Sequence, residues 1–125
     1  MKGLPTEALD QVAAYFHALA EPTRLQMLNL LRDGERNVGE LAQLCGCTSA
    51  NISRHLSVLM QQKLVQRESR GTAAYYRIAD DSVYALCDLV CGGIARQLEQ
   101  AASDRKTFAR AAQAPAARSK GRPVG

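Results

Sequence analysis

Apolar residues recur along this chain at two periods, and the change of period organises it. Leu9, Val12, Ala13, Phe16 and Leu19 lie three or four apart, the spacing of one helix face. Thr6 is placed to cap that helix after Pro5, and Glu7 puts a negative charge in the first turn, where the helix dipole favours it. Pro22 disfavours helical geometry at Glu21 and suits the first turn of a new helix, so Glu21-Pro22-Thr23 reads as a break. A second helix is expected over about 22–32, with Leu25, Met27, Leu28, Leu30 and Leu31, closed by the turn Asp33-Gly34-Glu35-Arg36. A short extended piece, Asn37-Val38, leads into a third helix over 39–44. Gly46 interrupts the pattern, and Thr48 or Ser49 caps a fourth helix reaching about Gln62.

From residue 64 the period becomes that of strands. The β-prone runs 64–68 and 73–78 flank Ser69-Arg70-Gly71-Thr72 and predict a hairpin. A long helix follows from Asp80 or Asp81, carrying Val83, Leu86, Cys87, Val90, Cys91, Ile94 and Leu98 and reaching about Phe108. Its girth is apolar over 83–95, which calls for a covering surface. Beyond Gln113 the chain is Ala, Pro, Arg, Ser, Lys and Gly without apolar period, the composition of a disordered tail. The fold class expected is mainly α with a small β-hairpin wing (α+β): a winged helix-turn-helix domain over 1–104, then a largely disordered basic tail over 105–125.

Composition adjusts this picture in two places. With 125 residues, 46% of them apolar, 5% aromatic and none Trp, the chain reads as one helix-rich globule packed by Leu, Val and Ala. No apolar run approaches the roughly 18 residues of a membrane span. The first residues lack the apolar stretch of a signal peptide, so a cytoplasmic protein with thiol cysteines is expected. The net charge of +4 is unevenly distributed. Arg105, Lys106, Arg110, Arg118, Lys120 and Arg122 give the last 21 residues +6 with no acid, which leaves −2 on the rest. Within that acidic remainder, Arg54, Lys63, Arg67, Arg70 and Arg77 face only Glu68 over 48–77, a local +4 of the kind a phosphate-facing surface needs.

Helix, tight turn, helix and hairpin, in that order, are the parts of a winged helix-turn-helix. A helix that enters the major groove needs small polar residues at its start, so that the backbone approaches and side chains reach base edges. Thr48-Ser49-Ala50-Asn51 meets that need, and Ser53, Arg54 and His55 follow. Asn51 and Arg54 are the expected base readers, since an amide pairs bidentately with adenine and a guanidinium with guanine. Ser49 and Ser53 lie nearer phosphates. For His55 two placements stand: facing DNA, or packed within the head. Ile52, Leu56 and Leu59 form the inner face, expected against Leu41, Leu44 and the second helix. On the wing, Arg67, Arg70 and Arg77 are expected on flanking backbone, with Arg70 at the tip able to enter a minor groove.

Four stretches resemble the ArsR/SmtB family of bacterial repressors, over about residues 10 to 100. They are His17-Ala-Leu-Ala-Glu-Pro-Thr-Arg24, Val38-Gly-Glu-Leu-Ala42, Asn51-Ile-Ser-Arg-His-Leu-Ser-Val-Leu59 and the wing end Tyr75-Tyr76-Arg77-Ile78. The resemblance implies a homodimer joined by the first and last helices, repression by binding double-stranded operator DNA, and release when an inducer binds. In such a dimer the apolar stripe over 83–98 is interface, and two heads meet a pseudo-palindromic site.

Inducers of that family include metal and metalloid ions, reactive sulfur and oxidants. The Cys-x-Cys of its arsenic and cadmium sensors falls at about Asn37 and Gly39 here, so that site is absent. The last helix has no histidine, against a zinc site of the family's acid-and-histidine type. Cys45 and Cys47 stand where leucines of the inter-helix turn are usual, which suits small core residues. Cys87 and Cys91 lie one helical turn apart, with α-carbons roughly 6 Å apart. Two readings of that pair stand: a site for a thiophilic metal or metalloid ion or for redox chemistry, with Asp88 a ligand or a solvated charge, or packing in a seam that Gly92-Gly93 lets close up. No phosphate-binding glycine loop, nucleophile elbow or His-Glu-x-x-His is present, and His17 and His55 are the only histidines, so no enzyme is expected. The competing class is a winged-helix DNA-binding protein with no inducer site and purely structural cysteines.

Overall fold

The computed structural model describes residues 1–113, in two units: one over Met1–Val83 and one from Tyr84 onward. In the first unit, α1 (Thr6–Leu19), α2 (Pro22–Arg32), β1 (Arg36–Asn37), α3 (Val38–Cys45), α4 (Ser49–Gln61), β2 (Val65–Arg70) and β3 (Ala73–Ile78) follow in order. The second unit is the body of α5 (Ser82–Ala112).

Local chemistry sets most of the helix ends. Glu21 caps α2, its carboxylate accepting from the Arg24 N–H at 3.0 Å, with Pro22 in the first turn. Asn37 and Glu40 form a reciprocal capping box at the start of α3: the Asn37 side chain accepts from the Glu40 N–H at 2.8 Å and the Asn37 N–H donates to Glu40 Oε1 at 3.0 Å. Thr48 caps α4 by accepting from the Asn51 N–H at 3.1 Å. Thr6 does not cap α1. Pro5 holds that position without a side-chain bond, and Thr6 is already helical. Before α5, the Ser82 N–H donates to Asp80 Oδ1 at 3.0 Å, and that bond holds the Asp80 carboxyl below its ordinary value. Two residues past the end of α4, Lys63 is the only described residue other than glycine with positive φ, at 59°.

The core of the first unit lies where α2, α3 and α4 meet the sheet. Met27, Leu41, Ile52, Leu56 and Leu59 are fully buried, joined by Leu28, Leu31, Leu64 and Val65. The inner face expected for α4 is therefore found, but one of its expected partners is not: Leu44, in the last turn of the short α3, is 48% exposed. Leu9 and Phe16 of α1 are also exposed, with the Phe16 ring edge-on to Tyr15 at 5.9 Å.

The sheet has three strands in the order β1-β3-β2, all antiparallel. The hairpin is longer than expected. Pairing continues to Arg70 opposite Ala73, which leaves only Gly71 and Thr72 in the turn, and Gly71 supplies the left-handed φ of +63° that so tight a turn requires. The third strand is the extended piece before α3, at Arg36–Asn37 and so one residue earlier than expected. It pairs Arg36 with Tyr76 and Asn37 with Tyr75.

The α5 helix runs to Ala112, past the expected end at Phe108, so residues 105–112 continue the helix and do not begin a tail. Good helix formers there (Arg105, Lys106, Ala109, Arg110, Ala111) and the Gln100–Asp104 bond of 2.9 Å one turn apart account for the extension. The expectation for 114–125 lies outside the described residues. Leu89, Val90, Ile94, Leu98 and Phe108 are half or more exposed on α5. No helix among the described residues is long and apolar enough to cross a membrane.

Leu56→Ala should cost about 2–5 kcal/mol, as large-to-small changes at buried leucines do, while loss of the Asn37 cap in Asn37→Ala should cost about 1 kcal/mol. Urea titrations followed by circular dichroism would rank the two; equal losses would mean that the core is not centred on α4.

Candidate nucleic-acid interface

The start of α4 is exposed and polar. Thr48, Ser49, Ser53 and Arg54 are open to solvent and Asn51 is half-buried, while Ile52, Leu56 and Leu59 on the opposite side are fully buried. The helix can therefore offer its first turns to a groove without losing core contacts. Asn51 and Arg54, one turn apart, touch each other: Arg54 Nη2 donates to Asn51 Oδ1 at 2.8 Å. The two expected base readers are thus held side by side.

His55 does not share that surface. Its side chain is 14% exposed, with Nδ1 3.3 Å from Arg24 Nη1 and Nε2 3.8 Å from Glu21 Oε2. A guanidinium only donates, so Nδ1 is the acceptor. Of the two placements open from sequence, the structure takes the interior one.

Arg24 was missed as a site residue. It is 7% exposed and uses its whole head group. Nε donates to the Ala18 carbonyl at 2.6 Å, Nη2 to the His17 carbonyl at 3.0 Å, and Nη1 meets His55. These carbonyls belong to the last turns of α1, where helical partners run out and the dipole favours a cation. Glu21, which caps α2 through the Arg24 N–H, closes the cluster on the far side of the imidazole. One buried guanidinium so ties the end of α1 and the start of α2 to the middle of α4. Its signal was present in the Glu-Pro-Thr-Arg and Ser-Arg-His stretches, whose common purpose spacing alone does not reveal.

The wing arginines divide between faces. Residues opposite each other in register share a face, so Gln66, Glu68, Arg70, Ala73, Tyr75 and Arg77 lie on one side, and Arg67 lies on the other with Val65 and Tyr76. All three guanidinium groups have protein partners. Arg67 Nη1 donates to Ser69 Oγ at 3.1 Å. Arg77 Nη1 donates to Glu68 Oε2 at 3.0 Å. Arg70 forks onto the Glu35 carboxylate, with Nη2 to Oε2 at 2.7 Å, reaches Glu68 at 3.1 Å, and lies 4.9 Å over the Tyr75 ring. Hydrogen bonds to Glu35 and Glu68 raise its pKa further above the ordinary arginine value. Arg70, expected at the tip with access to a minor groove, is folded back onto Glu35 and Glu68. Glu35 lies outside the 48–77 window in which the charge was counted, and the sheet brings it there.

The cysteines fall into two pairs. Cys87 is half-buried and Cys91 exposed on α5; Cys45 and Cys47 are both half-buried at the end of α3. Burial, and secondarily the neighbouring Cys47, push the Cys45 thiol up from its ordinary value. No group of three or more His, Cys, Asp or Glu side chains able to share an ion occurs among the described residues.

Comparison with known proteins gives a consistent result. Residues 21–67 match the model of the arsR family of bacterial regulatory proteins. The regulator Rv0324 of Mycobacterium tuberculosis is 44% identical over 82 residues, 66% of this chain but only 36% of that protein, so the chain spans about a third of this relative. The regulator NmtR of the same organism is 36% identical over 85 residues, covering 68% of this chain and 71% of that one. Among solved structures, a homodimeric winged helix-turn-helix DNA-binding domain from Mycobacterium bovis, Mb0332, has a TM-score of 0.68 at 39% identity, covering 80% of this chain and 95% of that one.

Two outcomes test this geometry. Arg24→Ala should cost more than about 2 kcal/mol in denaturant titrations, because it removes a buried guanidinium with three partners and leaves the buried Ala18 carbonyl without its donor, whereas the exposed Arg67→Ala should stay within about 0.5 kcal/mol. Because its thiol is shifted up, Cys45 should gain alkylation rate with iodoacetamide only at higher pH than an ordinary thiol; peptide mass spectrometry across a pH series reads this directly.

Proposed function

The chain belongs to the arsR family of bacterial regulatory proteins, and from that membership we propose that it is a cytoplasmic, homodimeric repressor that binds double-stranded operator DNA and lets go when an inducer arrives. The observation that carries the reading is the polar start of α4, with Thr48, Ser49, Ser53 and Arg54 exposed and backed by three fully buried residues of the same helix. Asn51 and Arg54 read bases in the major groove, and Thr48, Ser49 and Ser53 meet phosphates beside them. His55 contributes from inside, by holding the helix to Arg24. On the wing, Arg67, Arg70 and Arg77 bind the flanking backbone after exchanging their serine and carboxylate partners for phosphate.

Dimerisation is supported by the apolar surface that each unit leaves open: Leu9 and Phe16 on α1, and Leu89, Val90, Ile94 and Leu98 on α5. The Mycobacterium bovis domain is a homodimer of the same fold. A twofold dimer presents two copies of α4, which suits a site with two half-sites. For the inducer, Cys87 and Cys91 offer two thiols one turn apart on α5, a pairing suited to a thiophilic metal or metalloid ion or to an oxidant.

Fluorescence anisotropy with DNA from upstream of its own gene tests the reading. The chain should prefer that DNA over random sequence and lose affinity steeply with salt; equal affinity for both would sink it. Asn51→Ala and Arg54→Ala should each cost about 1–3 kcal/mol on the preferred site and little on random DNA. In the same assay Cys87→Ser and Cys91→Ser should abolish release by inducer; a parental response in both variants would leave these thiols as packing groups.

A further inference from the structure

His55 sits between two groups of opposite charge, and its ring nitrogens face one each. Nδ1 lies 3.3 Å from Arg24 Nη1, and Nε2 lies 3.8 Å from Glu21 Oε2. The guanidinium is not free to turn, because its Nε and Nη2 are held by the Ala18 and His17 carbonyls at 2.6 and 3.0 Å. The imidazole must therefore offer a lone pair at Nδ1, which leaves its proton on Nε2, toward Glu21. At the end of α1, His17 lends its carbonyl to Arg24 and is itself exposed. On α4, the neighbouring Arg54 turns outward to Asn51.

We propose that His55 is a positioning residue for DNA discrimination, and that taking up a proton switches the discrimination off. Neutral, the ring ties α4 to the anchored Arg24. When Nδ1 takes one proton from solvent, the ring has no acceptor left. Two N–H donors and two positive charges then meet across the 3.3 Å contact. The ring exchanges Arg24 for Glu21, whose carboxylate attracts the imidazolium from the other side. Histidine is the side chain that ordinarily changes charge in mildly acidic solution, so the device needs no further ligand than the proton.

The effect on α4 follows from where the ring is mounted. Asn51 lies one turn before His55 on the same helix, and Arg54 immediately before it. The fully buried Ile52, Leu56 and Leu59 keep α4 on the core, while the bond to Arg24 supplies direction. Glu21 Oε2 also accepts from the Arg24 N–H, so drawing it toward an imidazolium loosens the cap that presents the guanidinium. Acid thus leaves the packing in place and releases the rotation of the helix. Base contacts suffer, whereas an added positive charge favours every DNA alike. The coupling to DNA rests on the repressor reading above; the exchange of partners does not.

The test uses the full-length H17Q chain, in which His55 is the only histidine. Nitrogen NMR of the free protein should find the neutral ring protonated at Nε2 alone, and acid should add the proton at Nδ1. A proton on Nδ1 at neutral pH, or none there at the acid end, would overturn the exchange. Fluorescence anisotropy then compares upstream with random DNA. Preference for the upstream sequence should fall about tenfold from about pH 7.5 to about pH 5.5, while affinity for random DNA holds or rises. A preference equal at both ends would overturn the coupling. In H17Q/H55N an amide oxygen replaces Nδ1 as acceptor and takes up no proton, so the preference should hold throughout; a fall as large as that of H17Q would overturn the proposal. Should that variant not fold, H17Q/E21Q removes the charge that receives the imidazolium and should move the loss of preference to lower pH, and an unmoved profile would overturn the exchange. If H17Q shows no preference even at the higher pH, the repressor reading fails while the ring nitrogens still decide the exchange.

Discussion

Every α-helix ends in carbonyls short of partners within it, and at the end of α1 a side chain of the next helix supplies donors: it alone serves the Ala18 carbonyl and joins the Ala20 N–H on that of His17. The Arg24 guanidinium gives two of its N–H groups to the His17 and Ala18 carbonyls and turns a third to His55 on α4. The position of α4, and with it the surface proposed to read DNA, depends on this contact. Ile52, Leu56 and Leu59 hold α4 against the core, but apolar packing is not directional and tolerates sliding. A planar fork with three partners tolerates far less, so it sets the rotation of α4 about its axis and hence the aim of Asn51 and Arg54.

The same reasoning explains why acidic residues lie so close to the surface proposed to meet phosphate. Glu21 caps α2 and faces the imidazole, while Glu35 and Glu68 take the wing arginines. Each carboxylate fixes the direction of the group it faces. On the wing these pairs are exposed, so each is worth little to stability, and their effect is on geometry and local charge.

Much of this was legible in the residues. The helices over 22–32 and 49–61, the hairpin and the inner face of α4 follow from period and caps, because each is decided by neighbours close in sequence. The winged helix-turn-helix order followed from them. What escaped was long-range. Arg36–Asn37 looks like a linker and becomes a strand only because β3 lies beside it. Leu44 fits an apolar pattern, yet in the last turn of α3 it stays half exposed while Leu41 is buried. Arg70 looked unopposed because Glu35 is 35 residues away in the chain. His55 could not be placed until Arg24 was seen to fill the space beneath it. Local propensity gave the elements, and pairings between distant charges decided which polar groups point outward.

The folded-back Arg70 also bears on how a regulator finds one site in a genome. A chromosome presents on the order of a million or more competing sequences, and every unpaired surface cation increases binding to all of them alike. A guanidinium already occupied by two carboxylates adds little to that indiscriminate affinity, because contact with any phosphate must first displace them. On the proposed reading, that displacement is favourable only where α4 fits the bases and holds the wing against the backbone, so the wing would add to the lifetime of the correct complex alone. A charge neutralised at rest would then act as a proofreading element, with residence time, more than encounter rate, carrying the discrimination.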